Sequence, residues 1–264
     1  MDAILPAKLH LGDKKLSHDI IPCGISTIGD WAYAHCSCLK WVAIPVSAVH
    51  IGRDVFLGCN ALKHVYCYDG VAFSYDDLPD DKNATVHRIA RLNAIALLYF
   101  DDPATALIKE NACALQNLIS WDDRCLSFLA VSDDKGFDPF LAGGEEDYSD
   151  NEAQHADYIR ARRSIKAEII YTRLLSEAVC ALPIEDDKRS LLLDAFRSNS
   201  EVLSLLNHTI SCHKQTADIY AKAGLLTTEA LPHILEQIPH DRIEMRSALI
   251  SRCSSQLLGS LSLG

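Results

Sequence analysis

Near the start of the chain the apolar positions recur at a fixed interval. Ile28-Gly29 returns as Ile51-Gly52, Tyr33 as Phe56, Cys36 as Cys59, Leu39 as Leu62 and Val42 as Val65, each 23 residues on. A period in the twenties describes supersecondary units stacked on one continuous core. Within a copy, Val42 and Ile44, then Val65 and Cys67, alternate with other residues, which predicts short strands with these four side chains inward. Trp41, Ala43, His64, Tyr66 and Tyr68 then face the other side of the same strands. Ala32, Tyr33 and Cys36 have the spacing of one helical or 3₁₀ turn, and Gly29 and Gly52 suit tight turns. An incomplete copy comes first: Leu16, Ile21 and Pro22 stand 23 residues before Leu39, Ile44 and Pro45, but Asp19 falls where Val42 is expected. A degenerate end copy fits a cap, and after Cys67 the pattern stops at Tyr68.

The unit reads Ile-Gly-x-x-Ala/Val-Tyr/Phe-x-x-Cys-x-x-Leu-x-x-Val-x-Ile/Cys, and residues 28–44 and 51–67 both fit it. Over about residues 14–69 it resembles the BspA-like leucine-rich repeats. The resemblance implies a short repeat solenoid and, since that family is best known from bacterial and protist surface proteins, a role in binding other proteins.

From about Asn83 the apolar period becomes helical. Val86, Ile89, Leu92, Ile95, Ala96 and Tyr99 fall on one face of a helix over 84–99. Asp102-Pro103 predicts a further helix start, and residues 105–131 read as two helices broken near Ser120. Residues 132–152 are strongly acidic, with Asp133, Asp134, Asp138, Glu145, Glu146, Asp147, Asp150 and Glu152 against a lone Lys135, and read as a loop. Helices are predicted again over 153–181, 185–198, 200–211, 214–223, 228–238 and 240–256. Short antiparallel helices on short loops suggest an α-solenoid-like stack. The fold expected is α+β, with leucine-rich repeats over 1–70 and an α-helical domain over 83–264.

Charge divides along the same line. The chain carries 25 Lys and Arg against 36 Asp and Glu, and the whole excess of −11 lies beyond residue 70. Such a surface repels phosphate backbones, so no nucleic-acid partner is expected, and a basic protein partner suits the acidic half. No stretch has the length and apolarity of a membrane span, and the N-terminus lacks a secretory signal as written. Ten cysteines without a secreted-scaffold spacing read as buried free thiols. A cytoplasmic location follows, or an exported one if a signal has been trimmed.

Chemistry-bearing motifs are few. His35, Cys36, Cys38, Cys59, His64 and Cys67 crowd the repeats, yet three of these cysteines occupy core positions and no pair of Cys-x-x-Cys motifs exists. His208, Cys212 and His213 share a helical spacing that chance explains. The carboxylates of 132–152 lack the spacing of a calcium loop. Gly-x-Ser-x-Gly, P-loop and Gly-x-Gly-x-x-Gly patterns are absent. No catalytic, metal or cofactor residue is assigned, and enzyme activity, sited between the domains, is the least favoured reading. The expectation is a non-enzymatic protein-interaction module that meets its partner through Trp41, His64, Tyr66 and Tyr68. The competing expectation is that helices pack over this aromatic face. An exported adhesion fragment is the alternative function.

Overall fold

The computed structural model describes residues 3–70, 84–109, 114–137, 148–208 and 215–261. The chain is a mixed α/β protein with small parallel sheets, and it divides into two compact units. Unit 1 comprises Met1–Phe128 and Cys180–Glu185; unit 2 comprises Leu129–Val179 and Asp186–Gly264. The change from strand to helix patterning at 70–83 is therefore not where the units divide: α1, Ala84–Tyr99, belongs to the same unit as the strands.

Unit 1 opens with three strand–turn–strand segments. They are β1 (Ala3–Leu5) with β2 (His18–Ile20), β3 (Ile25–Ile28) with β4 (Trp41–Pro45), and β5 (His50–Ile51) with β6 (His64–Tyr68). They form two parallel sheets, ordered β1-β3-β5 and β2-β4-β6. In the second sheet His18 pairs with Trp41 and Trp41 with His64, Asp19 with Val42 and Val42 with Val65. The sequence offset of 23 is thus also the register of the strands. The intervening turns match in the same way. Lys8, Trp31 and Asp54 all adopt a left-handed backbone with φ of 58°, 54° and 53°, as do Gly12, His35 and Gly58 at 72°, 62° and 71°. The backbone N–H groups of Lys8, His10 and Gly12 donate to Asp30, Ala32 and Ala34, and those of Trp31, Tyr33 and His35 to Arg53, Val55 and Leu57.

Leu39, Val42, Ile44, Leu62 and Val65 fill the core between the segments, as the alternation predicts. Tyr33 stacks on Phe56 with ring centroids 5.3 Å apart, and His10 extends the column at 5.1 Å from Tyr33. The buried Cys36 and Cys59 thiols donate to the carbonyls of His10 and Tyr33, at 2.9 and 3.0 Å. Burial pushes the Cys59 thiol up to about 12. Gly29 and Gly52 mark the closest approaches of successive segments: a Cβ on Gly52 would lie 2.6 Å from the backbone nitrogen of Asp30.

The first segment is more complete than the sequence suggested, beginning at Ala3. Two aspartates stand at its otherwise apolar positions. Asp13, in the place of Cys36 and Cys59, accepts from the N–H groups of Lys15 and Leu16. Asp19, in the place of Val42, accepts the Tyr33 hydroxyl at 2.6 Å and the N–H of Ile20 at 2.8 Å. The carboxylate of Asp19 drives the Tyr33 hydroxyl, already raised by burial, further upward.

Helix α1 lies against β6. Its Asn93, fully buried, donates to the carbonyls of Val65 and Ile108 and accepts from the Ile108 N–H at 2.7 Å. Asp102-Pro103 opens only a 3₁₀ turn, Pro103–Ala106. Asp102 is left-handed there, and its carboxylate meets Arg124 at 3.0 Å instead of capping the turn. Helix α2, Ala114–Ala130, runs unbroken through Ser120. Leu118, Trp121, Cys125 and Phe128 are buried three and four residues apart, which makes one continuous apolar face and corrects the predicted break.

Unit 2 contains α3 (Tyr148–Cys180), α4 (Asp186–Ser198), α5 (Leu205–His208), α6 (Gln215–Lys222), α7 (Leu231–Glu236) and α8 (Ile243–Leu261). Residues 200–204, predicted helical, are turns. Tyr171, Phe196 and Tyr220 form its aromatic centre. The Tyr171 hydroxyl is 2.7 Å from Thr216 Oγ1, and that of Tyr220 donates to Val202. Gly224, at φ 70°, ends α6 as predicted, with Leu225 N–H returning to the Tyr220 carbonyl. Of the acidic stretch, residues 138–147 lie outside the described residues, as do Cys212 and His213.

Candidate interaction surface

The register of the second sheet carries His18, Trp41 and His64 into one row, because all three stand at the same place in their segments. Adjacent parallel strands lie about 4.8 Å apart, so aromatic groups in such a row stack. His18 and Trp41 do so, with centroids 5.2 Å apart. Tyr66, two residues along β6, meets Trp41 edge-on at 6.2 Å and His64 at 6.0 Å. From α1, His87 approaches His64 edge-on at 5.6 Å and shares a 3.2 Å hydrogen bond with the Tyr66 hydroxyl. The second ring nitrogen of His87 is buried and has no hydrogen-bond partner among the described residues.

Helix α1 divides the four residues expected to meet a partner. Tyr66 and Tyr68 are 7% and 8% exposed, packed with Ala43 and Ala90, and the Tyr68 hydroxyl donates to the Ile21 carbonyl at 2.6 Å. Here the covering helix, and not the open face, is what the structure shows. Burial raises both phenols above their usual range. Trp41 and His64 remain partly exposed, together with His18 and His87. The surface is therefore displaced toward the start of the strands.

Charge collects at the same corner. Lys40 and Lys63 precede Trp41 and His64 on neighbouring strands; both are exposed, and the N–H of Lys63 donates to the Lys40 carbonyl at 2.8 Å. Burial first, then electrostatic repulsion from His87 and from the cations Arg91, Lys63 and Arg88, push the His64 imidazole down to about 4. The lysine pair and the His18–Trp41–His64 row were legible as residues 23 apart. His87 had no such signal, since only the packing of α1 brings it to the strands.

A depression in unit 2 has a volume of about 320 Å³ and is lined in part by Asp133, Arg163, Lys166 and Ser200. Lys166 Nζ lies 2.6 Å from Asp133 Oδ1, and Arg163 Nε 2.8 Å from Oδ2. Burial alone would raise the Asp133 carboxyl, but hydrogen bonds from Lys166 and Arg163 hold it below its usual range. Asp133 is thus a fastening of the 132–137 turn onto α3. Among the described residues, no three His, Cys, Asp or Glu side chains are grouped to hold a metal ion, and no helix is long and apolar enough to cross a membrane.

No family model matches the chain, and neither curated proteins nor solved structures give a significant match.

Proposed function

We propose that the protein is a non-enzymatic protein-interaction module whose first 68 residues form a short solenoid of the leucine-rich-repeat type. In this reading the helical remainder is a stack of helix pairs. The observation that supports the interaction reading is the His18–Trp41–His64 row, a partly exposed aromatic ladder on the rigid parallel strands β2, β4 and β6. Aromatic side chains fixed on rigid elements lose little freedom on docking and serve as anchors of protein interfaces.

The test is affinity capture from an extract of the source cell, comparing the wild-type chain with Trp41→Ala/His64→Ala. Circular dichroism and thermal melting establish that both are folded. Proteins retained by the wild type and lost by the variant support the reading. Identical retention by both overturns it.

A further inference from the structure

The chain as a whole is acidic, yet two exposed lysines stand beside the aromatic row. Lys40 and Lys63 immediately precede the paired strands β4 and β6, and the Lys63 N–H donates to the Lys40 carbonyl at 2.8 Å. Like charges directly opposite on neighbouring strands oppose the pairing of those strands. Neither ammonium has an ion-pair or hydrogen-bond partner among the described residues. Arg88 and Arg91 of α1 add positive charge around His64. Two exposed lysines without a charge partner among the described residues, beside a partly exposed indole, form a surface that carboxylates complement.

We propose that this surface docks an acidic peptide segment of a protein partner, with Asp or Glu carboxylates set between Lys40 and Lys63 and apolar atoms laid on Trp41. The inference rests on the interaction reading above and gives the partner its chemical class. It also reverses the basic partner that net charge alone suggests: the −11 belongs to the chain beyond residue 70, whereas recognition is decided by the charges at the point of contact. A carboxylate between two ammonium groups forms charge-assisted hydrogen bonds, and salt weakens its capture.

The test uses the full chain and a fluorescein-labelled oligoglutamate peptide, read by anisotropy. The expected result is saturable binding that weakens as salt rises from about 50 to about 300 mM. Lys40→Glu/Lys63→Glu should weaken binding by about tenfold or more. Lys8→Glu/Arg53→Glu makes the same change of net charge on the other turns of unit 1, and it should leave binding within about twofold. An equal loss in both variants, or no saturable binding by the wild type, overturns the proposal, as does tighter binding of an oligothymidylate of equal charge. If oligoglutamate fails while Trp41→Ala/His64→Ala still loses captured proteins, the acidic class falls and the interaction surface stands. If both fail, both readings fall.

Discussion

Substituting Gly52 by alanine tests the close stacking of successive strand–turn–strand segments most directly. The added Cβ would lie 2.6 Å from Asp30 N, 2.6 Å from Asp30 Oδ1 and 2.8 Å from Gly29 C, where ordinary contact begins at 3.4 Å. Two of these three atoms are backbone, held by the ladder through which Gly52 N–H meets the Ile28 carbonyl at 2.8 Å. Arg53 N–H also meets Asp30 Oδ1, at 2.9 Å. Relief requires the segments to part by close to an ångström, stretching both bonds. Overpacking costs about 1–3 kcal/mol and each of the two weakened hydrogen bonds about 0.5 kcal/mol, so the loss should be about 2–4 kcal/mol. Gly24 is the control: a Cβ there meets nothing within 4 Å, but φ is +85°, so Gly24→Ala carries left-handed strain alone, about 1–2 kcal/mol. Trp31, Trp41 and Trp121 all belong to unit 1, so tryptophan emission during urea unfolding reports that unit. Gly52→Ala should lower the midpoint by about 1–3 M and clearly more than Gly24→Ala does. Equal midpoints for the two variants would refute the close-contact account of Gly52.

Other outcomes follow from the same packing. Asn93→Ala leaves the buried N–H of Ile108 and the Val65 carbonyl without partners and should cost about 2–4 kcal/mol in the same urea assay; a loss under about 1 kcal/mol would show that the amide is dispensable. His64 is held neutral to about pH 4 in the fold but protonates near 6.5 when unfolded. The unfolded chain then binds more protons between these values, so stability falls as pH drops through that window, by about 1–3 kcal/mol. His64→Phe should flatten this slope between about pH 5 and about pH 7, and an unchanged slope would assign the effect elsewhere. Under native conditions iodoacetamide should label the exposed Cys23 and Cys38 well before the buried Cys36, Cys59, Cys125 and Cys253, as read by peptide mass spectrometry; early labelling of Cys59 would contradict its place in the core.

The strands were the most legible part of the sequence, because an apolar position repeated every 23 residues repeats a backbone position as well. Val42, Ile44, Val65, Tyr33 and Phe56 all lie where the spacing puts them. The opening segment was less legible. Asp13 and Asp19 break its apolar pattern, and only the hydrogen bonds they accept explain why carboxylates serve there. Helix positions followed from periodicity, but Ser120 and Asp102 misled, since local propensity yields to a continuous buried face in one case and to an arginine in the other. For the candidate surface, alternation correctly put Trp41, His64, Tyr66 and Tyr68 on one side. Which of them α1 would cover depends on how Ala90 and Val86 seat against Tyr66 and Tyr68, and one-dimensional spacing does not contain that information.

Asp19 has a consequence beyond its own segment. Ile21 N–H turns inward to the Ala43 carbonyl, so in a parallel ladder the N–H of Ile20 turns outward, to the side of β2 that no strand among the described residues pairs. Asp19 Oδ1 already occupies it. An edge whose donor is taken cannot recruit another strand through that group, and the carboxylate acts as a chain terminator does in polymer growth. A valine at this position would complete the Val42–Val65 column and release the Ile20 N–H, leaving that donor open to pairing with another strand.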